Sequence, residues 1–154
     1  MRPARSEDAA ALVGLLRGGA LGAGDEDPGE PARYRTALAD IAATPGTDVL
    51  VVERAGEVVA VCQLITFRHL QHGGGRCAEL ESMHVRSDLR GTGIGGVLLE
   101  EAVARARAAG CYRIQLTSNT VRTDAHRFYE GHGFVASHVG FKRLLDPPTG
   151  AAPT

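Results

Sequence analysis

The 154-residue chain predicts an α/β fold built around a parallel βαβ unit, and three stretches carry that expectation. Arg76 to Val85 reads as a strand. Arg90-Gly91-Thr92-Gly93-Ile94-Gly95-Gly96 follows as a glycine-rich turn, and behind it Ile94, Leu98, Leu99, Ala102, Val103 and Ala106 recur at helical spacing. A second strand, Tyr112 to Thr117, closes the unit. Two strands joined through a helix are parallel, so the first of them belongs near the centre of a sheet. The helix N-terminus then sits at the carboxyl end of a central strand, where open α/β sheets bind ligands.

The remaining elements follow in chain order. Ser6 is a candidate N-cap, with Glu7 and Asp8 suited to a first turn and Leu12, Val13 and Leu16 forming an apolar face before Gly18-Gly19. Gly18 to Glu30, glycine-rich and holding Asp25-Glu26-Asp27-Pro28, reads as a mobile loop. Pro31 opens a second helix in which Tyr34, Leu38 and Ile41 share a face, and Pro45-Gly46 closes it. Val49 to Glu53 and Glu57 to Phe67 are strands joined as a hairpin through Arg54-Ala55-Gly56. His69 to Gly75 is a loop whose three glycines give His69, His72 and Cys77 no rigid frame for a metal. Glu101 and Arg105 make an i,i+4 pair on the glycine-loop helix. Past Asn119, Thr123 caps a short helix ended by Gly131-x-Gly133, and Phe134–Val135 and His138–Leu145 are the last strands. Pro147 to Thr154 reads as a disordered tail.

Four glycines in the six residues Gly91 to Gly96 let the backbone turn sharply and expose its N–H groups. With a helix starting behind them, those groups and the positive end of the macrodipole favour a phosphate or pyrophosphate, and Arg90 adds a guanidinium at the entrance. A P-loop is excluded, because Val97-Leu98 stands where Lys-Ser/Thr is required. Gly91-x-Gly93-x-x-Gly96 formally meets the dinucleotide pattern. Against that reading, the next strand runs into Ser118-Asn119 instead of an acidic residue for a ribose hydroxyl, and too little chain follows to complete a dinucleotide domain.

A third pattern, Arg/Gln-x-x-Gly-x-Gly/Ala, is met by Arg90-x-x-Gly93-x-Gly95, and its flanks agree with it. Upstream stands Glu79-Leu80-Glu81-Ser82-Met83-His84-Val85; downstream are Gly110-Cys111-Tyr112 and Ala125-His126-Arg127-Phe128-Tyr129-Glu130-Gly131-His132-Gly133-Phe134. In this order and at this spacing the segments resemble the acetyl-CoA-binding core of the GNAT superfamily of N-acetyltransferases. The resemblance spans residues 47 to 145 and, more loosely, the whole chain.

That resemblance implies a GNAT fold: a mixed central sheet of about six to seven strands flanked by about four helices, as one domain over residues 1–146 with 147–154 as a flexible tail. It makes Met1 to Ala4 a short edge strand and the first two helices with their loop a wall of the acceptor site, the alternative being a solvated loop with Tyr34 as packing. It implies acetyl-CoA as cosubstrate, held by Arg90, Gly91, Thr92, Gly93, Ile94, Gly95 and Gly96 at its phosphates and by backbone N–H groups of Met83, His84 and Val85 along its pantetheine arm. Those amides would also polarise the thioester carbonyl, as an oxyanion hole does. Phe128 and Asn119 complete the coenzyme contacts. Arg122 departs from the family's pattern, which often has Asn seven positions before the tyrosine. Tyr129 takes the position of the tyrosine that protonates the leaving thiolate; its alternative is a core tyrosine. Glu81 takes that of a strand glutamate that deprotonates the amine, directly or through water; its alternatives are an ammonium ligand or an arginine partner. His126 reads as an exposed helix histidine. The implied reaction is direct transfer to a primary amine of a small molecule or peptide in a ternary complex. A non-catalytic acyl-CoA-binding or sensing module and, further off, a nicotinamide-dinucleotide-binding domain remain the alternative classes.

Composition agrees with a soluble protein: 44% hydrophobic and 23% charged residues. Net charge is −1, but residues 1–89 stand at −4 and residues 90–154 at +3. The excess around the glycine loop suits a phosphate-bearing ligand and is too weak for a nucleic-acid surface. Three cysteines, Cys62, Cys77 and Cys111, have neither metal-ligand spacing nor an even count for a disulfide framework, so a reducing cytoplasm is the expected setting. No apolar run reaches membrane-spanning length and no signal peptide is evident, so no membrane association is expected. The abundance of arginine over the single Lys142 suggests a GC-rich bacterial source. No metal is called for, and a homodimer is left open.

Overall fold

A computed structural model describes residues 1–19, 29–143 and 145. The chain divides into two compact units, Met1–Leu116 and Thr117–Thr154. The first contains a five-stranded sheet in the order β1 (Arg2–Pro3), β2 (Thr47–Arg54), β3 (Glu57–Arg68), β4 (Arg76–Val85) and β5 (Cys111–Leu116). The first four strands pair antiparallel, with the one-turn helix α3 (Gln71–Gly74) between β3 and β4, and β4 pairs parallel with β5 across the crossover helix α4 (Ile94–Ala108). The expected βαβ unit is therefore the right half of the sheet, joined to an antiparallel meander.

The hairpin between β2 and β3 turns through Ala55 (φ 51°) and Gly56 (φ 81°), with Arg54 facing Glu57. Positive φ at both central residues is the turn whose twist matches paired strands. Helix α1 (Ala9–Gly19) buries Leu12, Val13 and Leu15, whereas Leu16 is only half-buried. Leu12 and Leu15 form a core cluster with Val51 and Val61, and Leu38 of α2 (Pro31–Ala43) packs against it. In α2, Tyr34, Leu38 and Ile41 are half-buried while the residues between them are exposed, as their spacing requires. On α4, Leu98, Leu99, Ala102 and Ala106 are buried, and the helix packs on β3, β4 and β5. Glu101 and Arg105 pair at 2.8 Å on its outer side, a contact worth a few tenths of a kcal/mol.

Ser6 is not the N-cap. A 3₁₀ turn covers Ser6–Asp8, and the Asp8 carboxylate accepts the Arg5 N–H at 2.7 Å and both terminal nitrogens of Arg2 at 2.7 and 2.9 Å. The longer reach of an aspartate two positions on, with a guanidinium opposite, wins over the serine. Arg2 also binds Glu53, which ties the edge strand β1 to β2. The Arg2 guanidinium, aided by the Arg5 N–H, holds the Asp8 carboxyl below the usual carboxylate range.

In the second unit, α5 spans Thr123–Gly131. Arg122 rather than Thr123 precedes it as N-cap, and Thr123 is the first helical residue. Its end is sealed by Gly133 (φ 82°): Gly133 N–H donates to Glu130 O at 3.0 Å and Phe134 N–H to Tyr129 O at 3.1 Å, with the Phe134 ring 5.8 Å from that of Tyr129. These are the two bonds and the apolar contact of a Schellman cap. The two strands expected after it are absent among the described residues, so the sheet has five strands and not six to seven. Ser137 N–H turns back onto Val135 O at 2.9 Å, which interrupts the extended run, and Val139 and Phe141 stand exposed. Residues 20–28 of the first loop and 147–154 of the tail lie outside the described residues.

Candidate active site

The site in the first unit is built on the carboxyl half of β4. Parallel pairing with β5 ends at Leu80↔Leu116, while β4 continues to Val85. Within this unit Glu81 to Val85 therefore present a strand edge that β5 does not cover. On the other side, pairing with β3 slips: Gln63 faces Glu81, but Val61 faces His84, so two residues of β4 stand against Cys62. The extra residue forms a β-bulge at Ser82, whose φ of 51° is unusual for a side-chain-bearing residue. A bulge leaves a residue outside the ladder and re-aims its neighbours. No sequence pattern announces it; it shows only in the pairing. Ala78 and Leu80 face Thr66 and Leu64, and Val85 faces Ala60, so one face is occupied at 78 and 80 and then at 85, an odd step that a regular strand cannot make.

The bulge decides which side chains share a face. Glu79, Glu81 and His84 pair with Ile65, Gln63 and Val61, so all three lie on the face where Val61 packs against α1. Glu79 accepts a hydrogen bond from Gln115 Nε2 at 2.6 Å. Glu81 is exposed, and Met83, His84 and Val85 are half-buried.

The glycine loop follows through a 3₁₀ turn at Ser87–Leu89. Thr92 Oγ1 donates to Leu89 O at 2.7 Å, which fixes the loop from within. Gly91 (φ 75°) and Gly93 (φ 87°) both take left-handed backbone, Gly93 as the N-cap of α4. A methyl at either would meet no heavy atom within 4 Å, so the space before the loop is open and the demand for glycine is conformational. The first helical hydrogen bond is Val97 N–H to Gly93 O at 3.1 Å, which leaves the amides of Ile94, Gly95 and Gly96 without helical acceptors. Open space, unsatisfied amides and a helix N-terminus together fit the pyrophosphate of a coenzyme. Arg90 is drawn partly elsewhere. Its Nε donates to Val85 O at 3.3 Å and its Nη2 to Gly18 O at 3.2 Å, so it clasps the strand end and the last turn of α1 beside the loop.

Gly93→Val is expected to lower coenzyme affinity by tenfold or more, because a β-branched residue cannot hold this φ and the amides behind it lose their aim. The strain costs folding about 1–2 kcal/mol. Calorimetric titration with acetyl-CoA, beside a denaturant melt, checks it; unchanged affinity would show that the loop is not the phosphate cradle.

The second unit assembles Asn119, Phe128 and Tyr129. Asn119 Oδ1 accepts the Val121 N–H at 3.1 Å, and its backbone carbonyl accepts from Arg122 N–H and His126 Nε2 at 3.0 Å each. His126 is thus half-buried and ties the turn to the helix, where an exposed residue was expected. Phe128 and Tyr129 are half-buried, their rings 5.2 Å apart edge to face.

An open groove of about 680 Å³ beside α1, reaching Gly18 and Val85, holds Arg2, Arg5 and Arg86; Arg2 pairs with Asp8 and Glu53, Arg5 with Glu7 and Arg86 with Glu57 and Asp88. At the amino end of β4, His69 Nε2 lies 3.1 Å from Cys77 Sγ and 2.8 Å from Tyr112 Oη. Among the described residues no three His, Cys, Asp or Glu side chains are placed to hold a metal. Cys62, Cys77 and Cys111 are free, and burial pushes the Cys62 thiol up to about 12. Among the described residues no helix is long and apolar enough to cross a membrane.

Comparison with known proteins bears on this geometry. A family model described as acetyltransferase (GNAT) family matches residues 20–134. An aminoalkylphosphonate N-acetyltransferase of Salmonella typhimurium is 35% identical over 112 residues, 73% of this chain and 72% of that protein. A crystal structure described as a transcriptional regulator from Bacillus halodurans C-125 superposes with a TM-score of 0.89 at 34% identity, covering 94% of this chain and 97% of the other. Glucosamine-6-phosphate N-acetyltransferase from Arabidopsis thaliana, at 19% identity and TM-score 0.79 over 94% and 97% of the two chains, shares the fold.

Proposed function

The chain belongs to the GNAT acetyltransferase family, and from that premise we propose that it transfers an acetyl group from acetyl-CoA to the primary amine of a small molecule, in a ternary complex and without an acyl-enzyme. The observation that carries the reading is the uncovered edge of Glu81–Val85 running into the glycine loop. An extended pantetheine arm can hydrogen-bond along such an edge while the amides at the head of α4 receive the pyrophosphate. The amides around the Ser82 bulge polarise the thioester carbonyl. Glu81 accepts the proton that the amine must lose before its nitrogen bonds to the carbonyl carbon, and Tyr129 donates a proton to the sulfur as the C–S bond breaks. Asn119 and Phe128 serve as further coenzyme contacts.

For the acceptor, the Salmonella relative makes aminoalkylphosphonates the first class to try. The experiment is a melting series followed by thiol-release assays. Acetyl-CoA at a hundred times its Kd stabilises by about 2.7 kcal/mol through mass action, and NAD should not stabilise. Thiol release should then appear with 2-aminoethylphosphonate. Stabilisation by NAD alone overturns the coenzyme reading, and coenzyme binding without thiol release over a panel of amines and peptides favours a non-catalytic module.

A further inference from the structure

Gly19, the last residue of α1, is buried against His84. A methyl carbon built on it would lie 1.8 Å from His84 Nδ1, 2.4 Å from Cε1 and 3.0 Å from Cγ. No real carbon can stand there, so the imidazole occupies the place that a side chain at 19 would take. The near atoms belong to the Nδ1 edge of the ring, which directs the Nε2 and Cδ2 edge away from the helix. His84 reaches this position because the Ser82 bulge shifts it onto the face of Glu79 and Glu81. Along this face the charge has a direction: two carboxylates come first, then an imidazole, then the Arg90 guanidinium docked on Gly18 O.

We infer that the His84 side chain is an acceptor-binding group that reads the acid end of an amino acid-like acceptor while Glu81 handles its amine, and that Gly19 is the positioning residue that makes room for it. The inference rests on the acetyl-transfer reading above and narrows it to amines bearing a phosphonate or a similar anion. Glu81 and His84 lie three residues apart on a bulged strand, roughly 7–10 Å along its axis. With one hydrogen bond of about 3 Å at each end, that gap suits a short zwitterion lying along the strand. The gradient fixes its orientation, ammonium toward the carboxylates and anion toward His84 and Arg90.

The test compares kcat/KM for 2-aminoethylphosphonate and for ethylamine in the wild type, His84→Ala, His84→Gln, Gly19→Ala and the Gly19→Ala/His84→Ala double variant, each first shown to be folded by its melting curve with acetyl-CoA. A donor to an anionic group is worth about ten- to a hundredfold, so His84→Ala should reduce the preference for the phosphonate by that factor, through KM. His84→Gln keeps an N–H donor and should restore part of the preference. Gly19→Ala should reproduce the loss by displacing the ring, and the double variant should be no worse than His84→Ala alone. An unchanged preference in His84→Ala, or additive losses in the double variant, overturns the inference. A wild type that acetylates ethylamine as well as the phosphonate overturns it too, while acetyl transfer stands. Absence of thiol release with every amine overturns both.

Discussion

Tyr129→Phe should reduce turnover by roughly a hundred- to ten-thousandfold, the usual worth of a general acid, while coenzyme affinity stays within about twofold. The substitution isolates the hydroxyl. The ring of Tyr129 is half-buried, packs edge to face on Phe128 at 5.2 Å and lies 5.8 Å from Phe134. A phenylalanine keeps both contacts. Its backbone is equally fixed, since its carbonyl accepts the Phe134 N–H and the His132 N–H in the cap of α5. Phenols ordinarily keep their proton at neutral pH, as a donor to a departing thiolate must. Without that donor the sulfur has to leave as an anion, and the penalty falls on kcat rather than on binding. Stopped-time thiol release with acetyl-CoA, paired with a calorimetric Kd, reads the two quantities separately. A loss of only twofold would make Tyr129 a packing residue.

The sequence announced the elements whose pattern is local and left out those that arise from pairing. Helix α4 was legible because Ile94, Leu98, Leu99, Ala102 and Ala106 repeat at its own period, and the hairpin because Ala55-Gly56 suits its turn. The backbone of the glycine loop was legible for the same reason, since glycine at 91 and 93 is a local demand met as two positive φ values. The Ser82 bulge is different in kind. It exists only as a mismatch between β3 and β4, and no propensity of Glu81, Ser82 or Met83 announces it. The packing of Gly19 on His84 joins residues 65 positions apart, so the Gly18-Gly19 pair read as the end of a helix and no more. The two terminal strands expected at Phe134–Val135 and His138–Leu145 rested on local composition, and a strand also needs a partner in register.

Glu81→Gln is the second large effect, and pH separates its possible causes. The bulge sets Glu81 on the α1 face of β4, exposed and across from Gln63, on the strand edge that β5 leaves uncovered within the first unit. Glutamine preserves shape and removes the carboxylate. A primary ammonium has a pKa of roughly 10, so at pH 7 about one acceptor in a thousand is free amine unless the protein takes the proton. If Glu81 takes it, kcat at neutral pH should fall by roughly a hundredfold or more. The deficit should then shrink as pH rises toward 10, where the acceptor supplies its own free base. If Glu81 only binds the ammonium, KM rises with kcat nearly intact, and alkaline pH does not rescue the variant because the charge it recognised is disappearing. Following kcat and KM separately from pH 6.5 to about 10 with 2-aminoethylphosphonate distinguishes the two. Preservation of both constants across that range would remove Glu81 from the chemistry. Deprotonation would then fall to a water or to the acceptor itself, on the same open edge of β4.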